Sequence, residues 1–401
     1  MVDTKIHAPL RPWPRQRRSR RRRLLTTLTT FFALVAASVG GIFWARGAFW
    51  APVSLEQKIS GTFTVAGNAP NLPWPAQGQA DIEVEGVGEL GSSGPVDTPA
   101  PIASVTKTMT AYQVLLDHPL GPADDGPMIT ISQALFDASR STDDDESGIE
   151  LRTGEQLTLR QALEGMLLPS AGNMARMLAA WDAGSVQAFV GRMNVRARAL
   201  GMDHTSYADP AGIDPNSKST AADQIKLGEK VLQNATMAGI VDTTAARVPV
   251  AGTVVNTNHL LGVDGDVGIK TGSTSEAGGC LLFAVRTSAD GVPVTMVGAV
   301  LGQPGEPWTI LAHAESTAKT LIEAAEQSLV TATVVRAGEA VAVLSQRGHS
   351  DVALNAGNDV TVVGWPSLAY KVSVSPAHKL SVDSTLLPGT VVGTTKLSSA
   401  N

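Results

Sequence analysis

The feature that most constrains this chain is a stretch of 22 residues without a charged side chain, residues 24–45, directly after a strongly basic N-terminus. Residues 1–23 contain eight arginines and one lysine against one acidic residue, a net charge of +8. Because the whole chain carries −6, the remaining 378 residues carry −14. About 20 uncharged residues suffice for a helix that crosses a bilayer, and arginines mark its cytoplasmic side. The sequence therefore predicts a basic cytoplasmic tail at 1–23 and a transmembrane anchor at 24–45.

Three other interpretations of this N-terminal region stay open. A cleaved signal peptide normally has an apolar stretch of about 7 to 15 residues that ends in a small-residue cleavage motif. Here the run is longer and that motif is poor. A basic tract can also bind nucleic acid or be a solvated tail, but the apolar run behind it favours a membrane flank. We expect a single-pass plasma-membrane protein with its later residues outside the cytoplasm and with no nucleic-acid partner.

The use of cysteine and histidine limits the chemistry that this chain can support. Cys280 is the only cysteine, which excludes an intrachain disulfide and a thiolate metal cluster. The seven histidines are scattered and form no H-E-x-x-H pair. We therefore expect no metal and no cofactor, and a fold that is held together by packing.

The residues after the anchor predict three further parts. Residues 46–78 are rich in proline and glycine and show little periodicity, which is typical of a linker. Residues 79–329 show helical periodicity first, then short apolar strands between about 248 and 301, and a closing helix at 309–329. Residues 330–401 alternate as strands do and predict a small separate all-β domain. The expected fold class is α+β.

Two local patterns have ordinary explanations. Residues 86–91 match G-x-G-x-x-G after a predicted strand, but serine, glycine and proline follow where a dinucleotide site needs a helix. A hairpin turn is the better prediction. The acidic cluster at residues 143–146 predicts a solvated loop.

Ser104 and Lys107 form an S-x-x-K motif at the start of a predicted helix. Residues i and i+3 share a helix face, so the hydroxyl and the amine can meet. A serine hydroxyl needs a base to become a good nucleophile, and a lysine can be that base if burial or a second cation keeps it neutral. The motif alone is weak, because Ser316 and Lys319 form a second copy inside a later predicted helix, to which we assign no role.

Two further elements are also common when taken singly. Lys270, Thr271 and Gly272 end a predicted strand, where a cation and a hydroxyl can bind a carboxylate and glycine lets a substrate backbone approach. A phosphate-binding P-loop is excluded, because Ile269 and not glycine precedes the lysine. Residues 169–173, P-S-A-G-N, lie between two predicted helices, where serine and asparagine also serve as caps.

In combination the three elements are specific. S-x-x-K, a serine–asparagine turn and K-T-G, well separated and in that order, resemble the signature of serine penicillin-binding proteins and β-lactamases. The surrounding segments resemble the D-alanyl-D-alanine carboxypeptidase branch over about residues 75 to 325: PIASVTKTMTAY, EGMLLPSAGNMA, GMDHTSYADPAGID and GIKTGSTSEAGGCLLFA. The resemblance implies an antiparallel sheet flanked by helices with a helical subdomain, here residues 79–329, and suits a trailing β domain.

The resemblance also implies a role for each matching residue. Ser104 would be the acylated nucleophile, Lys107 the base that takes its proton, and Ser170 the relay of a proton to the leaving amine. Lys270 would keep the region electropositive, and Thr271 would bind the terminal carboxylate of the substrate. Gly272 belongs to the same substrate-binding strand, and the backbone N–H groups of residues 104 and 273 would form the oxyanion hole. We therefore count Ser273 among the substrate-binding residues.

One position departs from the family pattern. The family turn usually reads Ser-x-Asn, whereas here Gly172 holds the third position and Asn173 follows it. In a helix a shift of one residue turns a side chain by about 100°, so Asn173 cannot simply substitute, and we keep it only as a candidate substrate-binding residue.

The expected function is removal of the terminal D-alanine from peptidoglycan stem peptides that end in D-Ala-D-Ala, with β-lactams as inhibitors. The alternatives are a catalytically impaired module that binds cell-wall peptides, which Gly172 could indicate, and a β-lactamase, which the anchor and the extra domain fit poorly.

Overall fold

The computed structural model describes residues 34–42, 53–140, 146–376 and 391–399. Its α-helices in those ranges are α1 (34–42), α2 (Lys107–Asp117), α3 (Gln133–Ser139), α4 (Leu159–Leu167), α5 (Gly172–Ala183), α6 (Val186–Ala199), α7 (Ala221–Gln233), α8 (Ala235–Val241) and α9 (Ile310–Ser328). A short 3₁₀ helix, Ala103–Thr106, precedes α2.

The strands fall into a group before residue 310 and a group after it. The first group is β1 (Ser54–Gln57), β2 (Thr62–Thr64), β3 (Gln79–Val84), β4 (Gly88–Ser93), β5 (Ala100–Pro101), β6 (Met128–Thr130), β7 (Gln156–Thr158), β8 (Lys218–Ser219), β9 (Ala245–Val248), β10 (Gly252–Val255), β11 (Asp266–Thr274), β12 (Gly278–Ala289) and β13 (Val292–Gln303). The second group is β14 (Val330–Val335), β15 (Ala340–Ser345), β16 (Val352–Asn355), β17 (Val360–Gly364), β18 (Ala369–Pro376) and β19 (Gly393–Ser399).

The centre of the larger of two compact units is an antiparallel sheet in the order β11-β12-β13-β3-β4. The described residues of this unit lie within 62–334, 359–372 and 397–399. The predicted hairpin at the G-x-G-x-x-G match is confirmed, since β3 and β4 pair across it. The strand β11, which carries K-T-G, lies at one edge of the sheet as described.

The two faces of this sheet are both covered by helices. Leu282 and Ala284 on β12 pack into the cluster formed with the helices before residue 242. Leu281 and Phe283, which alternate with them, pack into a second cluster with α9. Successive side chains of a strand point to opposite faces, so one apolar strand serves both layers. The predicted α+β class is confirmed, with helices on both sides of an antiparallel sheet.

Several helices of the middle segment start at side-chain caps, although α5 has no such cap. Thr158 accepts from Gln161 N while the Gln161 side chain accepts from Thr158 N, which is a capping box for α4. Ser185 caps α6 and Thr220 caps α7, each with a side-chain oxygen that accepts from a backbone N–H of the first turn. Gly184, with φ 77°, ends α5 in the left-handed conformation that glycine adopts easily. The predicted serine–asparagine turn lies where α4 ends and α5 begins.

The structure differs from the predicted domain boundaries in two places. The range predicted as a linker, 46–78, contains β1, which pairs with β15, and β2, which pairs with β18. Both strands are short and neither has a buried residue, so they show no apolar alternation in the sequence. The predicted boundary at residue 330 also differs, because residues 359–372 belong to the larger unit. The smaller unit, with described residues up to 61, 335–358 and 373–396, contains the sheet β1-β15-β16.

Most of the predicted anchor at 24–45 lies outside the described residues, apart from the exposed helix α1. Among the helices that are described, none combines the length and the apolar character needed to cross a bilayer.

Candidate active site

The S-x-x-K motif lies where the 3₁₀ helix passes into α2. Ser104 is in the 3₁₀ turn and Lys107 is the first residue of α2. Side chains at i and i+3 eclipse in a 3₁₀ turn, which brings Lys107 Nζ to 2.7 Å from Ser104 Oγ. Ala103, directly before the serine, has φ 46°, a conformation that costs a non-glycine residue energy. The local backbone is thus bent to present the serine to the amine.

Burial decides the protonation of Lys107. Its side chain is fully buried, and burial lowers its pKa to about 8, while the carboxylates of Glu146 and Asp209 oppose that shift and Arg176 adds to it. The amine also donates to Ala211 O at 2.8 Å. A neutral lysine amine has a lone pair left for the Ser104 hydroxyl, so this pair can act as nucleophile and base.

The Ala211 carbonyl is presented by a loop that Asp209 organises. The Asp209 carboxylate accepts from the backbone N–H groups of Gly212 at 2.6 Å, Ile213 at 2.8 Å and Asp214 at 3.0 Å. Gly212 has φ 80°, and a Cβ there would overlap Ala103 O, so glycine allows the loop to touch the nucleophile turn. No sequence motif marks Asp209 as a site residue, because nothing local shows that this loop meets Lys107.

The K-T-G strand β11 packs against the 3₁₀ helix that carries Ser104. A Cβ added at Gly272 would lie 3.0 Å from Ile102 O, Ser104 N and Val105 N, closer than ordinary contact. Glycine is therefore what allows the strand to approach the nucleophile. Ser273, one residue on, is exposed and pairs with Gly279 of β12.

Lys270 and Thr271 are buried on the same strand. Lys270 Nζ donates to Thr271 O at 3.0 Å and lies 3.3 Å from Thr271 Oγ1. Burial lowers the pKa of Lys270 well below its usual value, and the charge of Lys107 lowers it further. An anion bound here would favour the charged form. The Thr271 hydroxyl is 2.7 Å from the Thr257 hydroxyl, a partner that the sequence did not reveal.

The serine–asparagine turn lies at the N-terminus of α5, which packs against α2. Ser170 is 7% exposed and has φ 62°, so this second serine also sits on a strained backbone. The side chain of Asn173 is engaged within the protein. Its Oδ1 accepts from Ile149 N at 3.2 Å and its Nδ2 donates to Ile149 O at 2.7 Å. Its predicted contact with substrate stays a prediction.

The acidic cluster differs from its prediction at its last member. Residues 143–145 lie outside the described residues, but the Glu146 side chain is only 3% exposed and pairs with Arg176. A solvated loop was expected. The partner Arg176 lies 30 residues further along the chain, so local spacing could not reveal the ion pair. The second S-x-x-K copy lies in α9, where Lys319 pairs with Asp264 and Glu323.

Ser104 follows a strained residue and lies beside a buried lysine amine, next to the edge of an antiparallel sheet with helices on both faces. This arrangement defines a serine acyl-transfer enzyme. The chain belongs to the D-alanyl-D-alanine carboxypeptidase family of serine peptidases, whose model matches residues 88–304. The predicted family and enzyme class are thereby confirmed.

Two curated relatives and two solved structures illustrate the similarity. The chain is 32% identical over 228 residues to a D-alanyl-D-alanine carboxypeptidase of Streptomyces sp. (strain K15), covering 53% of this chain and 75% of the relative. It is 34% identical over 232 residues to a D-alanyl-D-alanine endopeptidase of Pseudomonas aeruginosa, covering 55% and 70%. The crystal structure of the Streptomyces K15 DD-transpeptidase matches with a TM-score of 0.54 and 29% identity, over 63% of this chain and 98% of that one.

Penicillin-binding protein 5 from Haemophilus influenzae matches with a TM-score of 0.58 over 82% of this chain and 94% of that one. At 24% identity this match shows the shared fold alone. It supports the predicted penicillin-binding-protein type of α+β fold.

Proposed function

We propose that this enzyme removes the terminal D-alanine from peptidoglycan stem peptides through an acyl-enzyme on Ser104. The observation that carries the proposal is the 2.7 Å approach of Lys107 Nζ to Ser104 Oγ, with the amine fully buried. A lysine whose pKa is lowered to about 8 by burial is neutral in a useful fraction of molecules near neutral pH. It can therefore accept the serine proton without a histidine.

The first half of the reaction uses both serines. Lys107 takes the Ser104 proton while the Ser104 oxygen attacks the carbonyl carbon of the penultimate D-alanine. The C–N bond of the scissile peptide breaks, and the proton passes through Ser170 to the nitrogen of the departing D-alanine. The backbone N–H groups of residues 104 and 273 stabilise the oxyanion, each by about 3 to 4 kcal/mol. Water then cleaves the ester and releases the shortened peptide and free Ser104.

The K-T-G strand holds the substrate in this mechanism. The Lys270 ammonium and the Thr271 hydroxyl bind the terminal carboxylate, which also favours the charged form of Lys270. Gly272 leaves room for the substrate backbone along the strand. β-Lactams, which carry an activated amide and a carboxylate, would acylate the same serine.

The decisive measurement is covalent labelling of the full-length protein with a fluorescent penicillin. Mass spectrometry should place the adduct on Ser104, and Ser104→Ala should lose both the adduct and the release of D-alanine from a pentapeptide. Ser316→Ala, in the second S-x-x-K copy, is the matched control and should keep both. An adduct that survives Ser104→Ala would refute the assignment.

The same experiment separates the other candidates. A module that only binds cell-wall peptides, which Gly172 could favour, would show full peptide affinity in Ser104→Ala and no activity in either protein. A β-lactamase would hydrolyse the penicillin rapidly instead of keeping the adduct.

We also propose that residues 24–45 anchor the enzyme in the plasma membrane with its catalytic part outside. The support is the charge step between residues 1–23 and that uncharged run. The single native cysteine, Cys280, is buried, so an added surface cysteine can report topology. A membrane-impermeant thiol reagent on intact cells should label Ser316→Cys and not Ser19→Cys, and the reverse pattern would exclude this orientation.

A further inference from the structure

The space of the missing asparagine side chain is filled by a different residue. Gly172 stands where the family turn has asparagine, and it is the first residue of α5. A Cβ built on Gly172 would overlap Oε1 and Cδ of Glu146. A carboxylate from the preceding loop therefore occupies the volume that a side chain at position 172 would need. Only glycine at this position is compatible with Glu146 in its place.

Glu146 is held there by a buried ion pair. Arg176, one turn further along α5, donates from Nη1 to Oε1 at 2.8 Å and from Nη2 to Oε2 at 2.6 Å. The two side chains are 3% and 14% exposed, and Arg176 Nε also donates to Ser139 O at 3.2 Å. A bidentate arginine–carboxylate pair fixes both position and orientation.

The backbone around Glu146 is tied to the same helix end. Gly172 N donates to Ser147 O at 2.8 Å. The Asn173 amide bonds both to the N–H and to the carbonyl of Ile149. The loop of Glu146 and the N-terminus of α5 thus form one hydrogen-bonded unit, and Ser170 is the residue that leads into it.

The pair also acts on the electrostatics of the proposed base. The negative charge of Glu146 raises the pKa of Lys107 and the positive charge of Arg176 lowers it. Asp209 also raises the pKa of this amine. The charge of Lys107 in turn lowers the pKa of the buried Lys270 on β11. A neutral asparagine would exert no such charge effect.

We propose that Glu146, clamped by Arg176, is a positioning residue that takes the place of the Ser-x-Asn asparagine, setting the Ser170 turn and the electrostatic environment of Lys107. The inference rests on the proposed roles of Ser104 and Lys107. It predicts that Gly172 and Glu146 are coupled, so that a change of either one alone slows acylation or lowers the melting temperature.

The coupling can be measured with a double-mutant cycle of Gly172→Asn and Glu146→Ala. Gly172→Asn alone should slow penicillin acylation by roughly tenfold or more and lower the melting temperature, because the new side chain collides with a clamped carboxylate. The double variant should recover both quantities relative to Gly172→Asn. Gly191→Asn is the matched control, since a Cβ at that helical glycine meets nothing within 4 Å. If the effects of the two single variants simply multiply in the double variant, the proposal is overturned.

The charge effect gives a second test that a purely structural role would not pass. Acylation needs neutral Lys107, so its rate rises with pH through the Lys107 pKa. Glu146→Gln removes a negative charge and should move this acid limb to lower pH, whereas Arg176→Gln removes a positive charge and should move it to higher pH. Glu150→Gln, in an exposed pair with Arg152, should leave it in place. Shifts in the same direction, or no shift, would contradict the proposal.

The two tests also separate this inference from the proposed function. If the wild-type protein forms no adduct on Ser104, the proposed function fails, and the melting temperatures of the Gly172/Glu146 cycle still decide whether the carboxylate fills the asparagine space. If the adduct forms but the cycle shows no coupling, the proposed function stands and this inference fails.

Discussion

The two turns that carry the proposed catalytic serines are built in different ways. The turn of Ser104 carries its own partner, since Lys107 is three residues further on, where the 3₁₀ turn passes into α2. The turn of Ser170 depends on a separate loop, because that loop bonds to α5 through Glu146 and Ile149. The first arrangement follows from local backbone geometry, and the second exists only when the loop and α5 are packed together.

The largest effect should come from the local turn. Lys107→Gln removes the only base proposed for Ser104 and should reduce the acylation rate by roughly 10²- to 10⁴-fold, the usual contribution of general base catalysis. Stopped-flow labelling with a fluorescent penicillin measures that rate. Lys319→Gln, in the second S-x-x-K copy, is exposed and should change it little. Equal losses in both variants would mean that the motif in α2 has no special role.

The difference between the turns explains how much of the site was predictable. Ser104, Lys107 and the K-T-G strand have spacings that translate directly into a helix face or a strand edge. The closing helix expected at 309–329 is α9, Ile310–Ser328. Asp209, Glu146 and Thr257 were missed as site residues, because tertiary packing and not local spacing brings their segments to the site. The strands β1 and β2 were missed because they are short and bury no side chain.

An intermediate effect is expected at Asn173, which bonds the N-terminus of α5 to the separate loop. Asn173→Ala removes two hydrogen bonds to the half-buried backbone of Ile149, which should cost about 1 to 3 kcal/mol of unfolding free energy. Urea unfolding measures this loss, and the exposed Asn216→Ala should stay within about 0.5 kcal/mol of wild type. If Asn173 instead binds substrate, as the sequence suggested, KM would rise while stability stayed the same.

The pH dependence of the acylation rate tests the role of Lys107 directly. Lys107 titrates with a pKa of about 8, lowered mainly by burial, and only its neutral form accepts a proton. The acylation rate should therefore fall as pH drops through about 8. A rate that is flat between pH 6 and 9 would show that a group other than Lys107 controls the reaction.

The smallest effect concerns a contact that belongs to neither turn. The Thr257 hydroxyl lies 2.7 Å from the Thr271 hydroxyl and so fixes the orientation of a group proposed to bind the substrate carboxylate. Thr257→Val keeps the shape but loses that hydrogen bond, worth about 1 kcal/mol, so kcat/KM for a pentapeptide should fall roughly fivefold. Thr257→Ser keeps a hydroxyl and should retain most of the activity. Because the pair acts on substrate binding and not on the base, the loss should appear in KM with an unchanged acid limb. A displaced acid limb would instead place Thr257 in the network that controls Lys107.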